Sequence, residues 1–311
     1  SADRLGKITP GLSHTVHMPS HIYLRAGHYN KGVTVNENAV NSYKKLVPLY
    51  GAVTGNDFLY IIHNLHMQTN NAMLAGRAAY TIESAFETMN SVPKDYLAIP
   101  GAMGSYMQNI HMTPVIGMVR FGKWEELLSY PQPDAAHIYA NVIYRFGRGM
   151  ALTAKSDLKG AEQELVQIQQ LMKDSVLYAP FPPFSPAIEG ARVAADLLKG
   201  MIALKQKNNP VAIAAFRQAV HTEENMVYNE PRDWMLNTRH YLGKALLVAG
   251  KWKEAETVFK KDLENNNENV WALKGLQQAL LGMMNKDAGL VLTRLNKAAS
   301  KADIKISGPV Y

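Results

Sequence analysis

Two short stretches concentrate the histidines of this chain: HTVHMPSH at 14–21 and HNLHM at 63–67. Five of the ten histidines fall there, and both stretches contain H-x-x-H-M. Neutral imidazole is the commonest nitrogen ligand for zinc, copper, iron or nickel. Residues three or four apart share one face of a helix. His14, His17 and His21 therefore read as one ligand face and His63 with His66 as a second. Neither stretch carries the glutamate of H-E-x-x-H that would polarise a zinc-bound water. No P-loop, nucleophile elbow or dinucleotide fingerprint is present, so no residue is assigned as catalytic. Met18, Met67 and Met112 each follow a histidine and read, at helical spacing, as core rather than thioether ligands.

The elements that must carry these faces are marked by glycines. Gly27, Gly76, Gly122 and Gly250 each read as a helix C-cap, in RAGHYNKGV, LAGRAAYTI, RFGKWEELL and LVAGKWKEA. Aligned on them, His17 and His66 lie ten residues upstream, and His14 and His63 thirteen. The two H-x-x-H-M stretches thus occupy one register of successive helical units. Pro19 should break its helix, having no N–H to donate. The pattern Pro19-x5-Arg25-x-Gly27-x-Tyr29 recurs as Pro114-x5-Arg120-x-Gly122-x-Trp124, with His111 just ahead of it. Further hairpins read at 138–172, 187–220, 240–271 and 270–302, and strand alternation is not sustained anywhere. The expectation is an all-α, tetratricopeptide-like α–α superhelix of about six to seven hairpins, a single irregular repeat domain over 1–311. Two stretches interrupt it. Residues 178–190, YAPFPPFSPAIEG, form a proline-rich inter-repeat loop whose two phenylalanines should pack on the array. In NEPRDWML, Pro231 is expected at a helix start.

In such an array the first helices of neighbouring units line a concave face about 8–10 Å apart. Paired histidines there could hold one ion of the Zn, Fe or Cu type through His14, His17, His21, His63 and His66. The leading expectation is a binding scaffold in which they line a polar groove for a peptide, protein segment or small ligand, with Arg25, Asn64, His111, Tyr144 and Arg148 as further lining residues; the alternative is a metal-dependent enzyme using the same paired H-x-x-H motifs. A plain packing role for duplicated histidines is the third reading. Tyr139, Arg145 and His137, and further along Arg239 and His240, are weaker candidates for the same face.

Composition bounds the alternatives. The 311 residues are 47% hydrophobic and 19% charged, which is the balance of a folded chain rather than a disordered one. Without cysteine there is no disulfide or thiolate site. No apolar run is long enough for a membrane span. The net charge of +7 lacks the clustering that phosphate recognition needs, as the mixed signs of KWKEAETVFKKDLE show, so nucleic acid is not an expected partner. The opening SADRLGKITPG has no hydrophobic h-region and reads as the interior of a longer protein, so compartment stays open.

HMPSHIYLRAGHYNKG, the HNLHM helix, VRFGKWEELL and EPRDWMLNTRHYLGKALLVAGKWKEAETVFKKDLENNNENVWAL together resemble a family of bacterial tetratricopeptide-repeat proteins of largely uncharacterised function. H-M-P-S-H-I is the most specific of these motifs. The resemblance implies the helical-repeat fold and a further histidine-rich segment upstream of this chain. It implies no particular activity.

Overall fold

A computed structural model describes residues 2–9, 11–50 and 56–311, with side chains described except at 47–50 and 56–58. Helix takes up 72% of the described residues, with no strand among them, as expected of an all-α protein. The helices are α1 (Ala2–Leu5), α2 (Ser13–His17), α3 (Pro19–Arg25), α4 (Tyr29–Tyr50), α5 (Asn56–Leu74) and α6 (Ala78–Ser91). They continue with α7 (Ala102–His111), α8 (Thr113–Arg120), α9 (Trp124–Ser129), α10 (Ile138–Ala154), α11 (Leu158–Leu171) and α12 (Ala187–Lys205). The last are α13 (Asn209–Asn225), α14 (Thr238–Val248), α15 (Trp252–Asn265), α16 (Val270–Gly282) and α17 (Ala288–Ala298). Consecutive helices pack as neighbours, most extensively α12 on α13, α10 on α11 and α4 on α5. Helices one step further on also touch, as α10 does α12 and α14 does α16.

The breaks fall where local chemistry dictates. Pro19 sits at the first position of α3, directly after Met18, and Pro114 at the second position of α8, after Thr113. Each proline divides what would otherwise be one long helix. Gly27 (φ +74°), Gly76 (φ +74°), Gly122 (φ +65°) and Gly250 (φ +69°) end helices in the left-handed region. Asp157, Asn208 and Asn269 cap α11, α13 and α16 by accepting from backbone N–H groups. In the 178–190 loop Phe181 and Phe184 stack at 5.0 Å and close on Tyr106 of α7 at 5.4 and 4.9 Å. One expectation is corrected. Pro231 starts no helix, since α14 begins at Thr238. Residues 229–236 stay irregular because their side chains are used elsewhere: Glu230 reaches His21 and Asp233 accepts from the Ser185 N–H.

The first units pack against the last hairpins, which no local pattern announces. The Trp271 Nε1–H donates to the Met73 carbonyl at 2.9 Å, and the Tyr29 hydroxyl to the Asn267 carbonyl at 2.6 Å. Asp303 accepts from the N–H groups of Ala78 and Ala79 at the positive N-terminal end of α6. The two proline-glycine motifs dock alike. Arg25 donates to the Asn265 carbonyl and Arg120 to the Pro309 carbonyl, both at 3.2 Å. The main apolar cluster runs from Met73 through Phe146 and Trp234 to Leu295, with two smaller clusters, around Ile62 and around Met67, in the first units.

Gly27 tests this seam. A Cβ there would lie 2.4 Å from the Asn267 carbonyl oxygen, whereas one at Gly250 would meet nothing within 4 Å. Both alanine substitutions carry the left-handed cost of about 1–2 kcal/mol. Gly27→Ala is expected to lose clearly more stability than Gly250→Ala in urea unfolding, and equal losses would argue against the close approach.

Candidate metal centre

Three imidazoles from three helices converge. His17 ends α2, His21 lies in the first turns of α3 and His63 sits mid-way along α5. His17 Nε2 is 2.9 Å from His21 Nε2 and 3.0 Å from His63 Nε2. These three are the one group of side chains, among the described residues, whose ligand atoms all lie within 4.8 Å of one another. His17 and His21 are one turn apart across Met18, whose backbone stays in the right-handed helical region, and they bring their Nε2 atoms together with their rings nearly perpendicular at 83°.

The other ring nitrogens fix the tautomers. Asn36 Nδ2 donates to the Gly32 carbonyl at 2.8 Å, which turns its Oδ1 toward His17. His17 Nδ1–H then donates to that Oδ1 at 2.5 Å. His21 Nδ1–H donates to Glu230 Oε2 at 2.6 Å. Burial pushes the Glu230 carboxyl up, but the hydrogen bonds from His21 and the Tyr228 hydroxyl outweigh it and hold the group low, in its ionised form. With both protons on Nδ1, the Nε2 atoms of His17 and His21 face each other as lone pairs. Close lone pairs in a shielded site repel unless something positive lies between them. A proton can bridge one such pair, whereas a cation serves all three nitrogens at once. A zinc ion with N ligands at 2.0–2.1 Å separates them by roughly 3.3 Å, close to the spacing found.

Electrostatics keep the ligands available. Burial, with neighbouring His63 next in weight, pushes His17 down to about 3. Burial, followed by His21 and His66, pushes His63 down to about 3. Both are therefore neutral, ligand-ready imidazoles at physiological pH. Around them Asn36 orients His17, and Glu230 orients His21 in the carboxylate–histidine arrangement typical of metal sites. Outside that shell Arg25 and Arg232 each lie over the Tyr228 ring at 5.3 Å. The donor set of neutral nitrogens suits Zn, Cu or Fe, and three ligands leave a coordination position open.

The other sequence candidates lie around or away from this point. His14 is exposed, 6.2 Å from the His17 ring and 4.4 Å from that of Tyr60, outside the converging trio. His66, the register equivalent of His17, is buried on α5 and pushed by burial to about 4. Asn64 donates to Ser13 Oγ at 3.1 Å and so ties α5 to the start of α2. His111 faces the Met89 carbonyl at 3.3 Å. Tyr144 is buried in α10, and Arg148 on the same helix pairs with Glu164 at 3.0 Å, as does Arg145. Met67 and Met112 are core, as expected. Sequence reasoning missed Asn36 and Glu230. Asn36 lies one turn after Gly32 in an ordinary helix, and Glu230 is 209 residues from His21, so neither leaves a spacing signal. Compared with known proteins, the chain matches no family model and no curated sequence.

The depressed histidines set an acid limit on the metal-free protein. His17, His63 and His66 bind protons below their ordinary value of 6.5 only in the unfolded chain. Unfolding then takes up protons, so stability is fully present above pH 6.5 and falls as pH drops toward about 3. Urea unfolding in chelator across pH 7 to 4 should show this decline, and a flat profile would contradict the burial of these rings.

Proposed function

We propose that this protein is a metal-binding helical-repeat protein whose His17, His21 and His63 hold one zinc-class divalent cation. The observation carrying this reading is the convergence of three Nε2 atoms whose opposite nitrogens are already committed to Asn36 and Glu230. We read the paired helices as an irregular tetratricopeptide-like superhelix, supported by consecutive-helix packing and by the repeated proline–arginine–glycine motif. Membership of the bacterial repeat family that the HMPSHI motif resembles is part of the same proposal.

The open coordination position gives the ion something to recognise. A peptide or small ligand with a carboxylate, imidazole or similar donor would complete its coordination, which joins the groove reading to the metal reading. Chemistry is the second reading, and the three-ligand count favours it, because catalytic zinc sites keep a vacant position. Such an ion lowers the pKa of a bound water to near neutrality. His14, exposed one turn before His17, is the nearest imidazole free to move a proton.

Equilibrium dialysis tests the ligand set. The protein should take up about one zinc per chain, lost in His17→Ala and in His63→Ala and kept in His66→Gln. Glu230→Gln should keep the stoichiometry and weaken affinity about 10- to 100-fold. Zinc retained at full affinity in the His17 and His63 variants would overturn the assignment.

A further inference from the structure

A second group of acceptors lies between α4 and α6, over α5, and shares no residue with the histidine centre. A cavity of about 130 Å³ opens there, with Glu37, Lys44, Gln68, Tyr80, Glu83 and Glu87 in its wall. Gln68 forms the inner end. It is 5% exposed, and its Nε2 donates to the Tyr80 hydroxyl at 2.7 Å. Its Oε1 is buried and has no hydrogen-bond partner. A buried acceptor left unmade is costly, and such groups in folded proteins are normally satisfied. Gln68 lines a space large enough for a small solute.

The mouth is acidic. Glu37, Glu83 and Glu87 are exposed there against one ammonium, Lys44, whose Nζ lies 3.6 Å from Glu87. The Arg77 guanidinium is occupied on the Tyr80 ring face, 4.3 Å from its centroid. An acidic mouth stands out on a chain of net charge +7. Three carboxylates at the mouth outnumber the one ammonium, which already lies beside Glu87, so the complementary solute carries N–H donors and positive charge. A point ion fits poorly. Among the described residues no oxygen cluster here gathers within 4.8 Å, as the histidines do. A deep acceptor with carboxylates spread around the entrance suits an elongated cation.

We propose that this cavity binds a short-chain organic ammonium, with one N–H donating to Gln68 Oε1 and positive charge facing Glu37, Glu83 and Glu87. The cation satisfies the orphaned carbonyl and neutralises the mouth in one step. Its binding weakens with salt, because the carboxylates are exposed.

Calorimetric titration of 1,4-diaminobutane into the full chain at low salt tests this. Saturable one-to-one binding is expected, and 1,4-butanediol, of the same length but uncharged, should not bind. Gln68→Leu removes the deep acceptor at similar volume and should cost roughly 10- to 100-fold in affinity. Glu83→Gln/Glu87→Gln alters only exposed groups, folds regardless, and should cost at least a few-fold and flatten the salt dependence. Three results would each overturn the proposal: no saturable binding of the diamine, equal binding of the diol, or affinity unchanged in both variants.

Discussion

The hydrogen bond from His21 to Glu230 joins residues 209 positions apart, and both the histidine centre and the closure of the molecule run through it. Without Glu230, His21 has nothing to hold its proton on Nδ1, and its Nε2 is no longer presented as a free ligand. Without the packing of the first units on the last hairpins, Glu230 is nowhere near His21. The site is therefore a property of the assembled chain rather than of either histidine stretch. The seam that brings Glu230 into place is built largely from main-chain acceptors: the carbonyls of Met73, Asn265, Asn267 and Pro309 each take a donor from across it. Such bonds fix register more than they add energy, since each contributes only about 1 kcal/mol net. The apolar core that spans the seam, with Trp271 fully buried against it, supplies the larger favourable term.

Polar burial along the seam follows the same logic. His240 and Asp262 are fully buried as a pair at 3.1 Å, with Asn269 donating to the same carboxylate. Burial pulls the imidazole down, while the carboxyl is kept low against its own burial by His240 and Asn269. Arg120 is buried beside Trp271, 4.9 Å from the ring, and donates to the Pro309 carbonyl. These groups would be costly in isolation; His240, Asp262 and Asn269 partner one another within one stretch of chain, while Arg120 finds its partners in the C-terminal segments.

Much of this was legible in the sequence, and the failures are instructive. Helix-ending glycines, the two prolines and the apolar stripes are local, and local steric rules place them without knowledge of the fold. The histidine clusters were legible too: the sequence offered His14, His17, His21, His63 and His66 together, and the structure brings three of them, His17, His21 and His63, to one point. Equal spacing from a glycine marks equivalent positions along two helices, and does not say which residues meet across them. His66 turns into the core and His63 toward the other helix. Glu230 and Asn36 were illegible because their roles arise from contacts between segments far apart in sequence or on different helices. Pro231 misled for a related reason, since its segment is shaped by what Glu230 and Asp233 reach rather than by helix propensity.

The most direct test of the account is X-ray absorption of the zinc-loaded protein, because it counts the ligands themselves. Three imidazole nitrogens at about 2.0 Å with one further light-atom donor are predicted, falling to two imidazoles in His21→Ala. A centre with fewer than three imidazoles, or one unchanged by His21→Ala, would contradict the converged trio as the metal site.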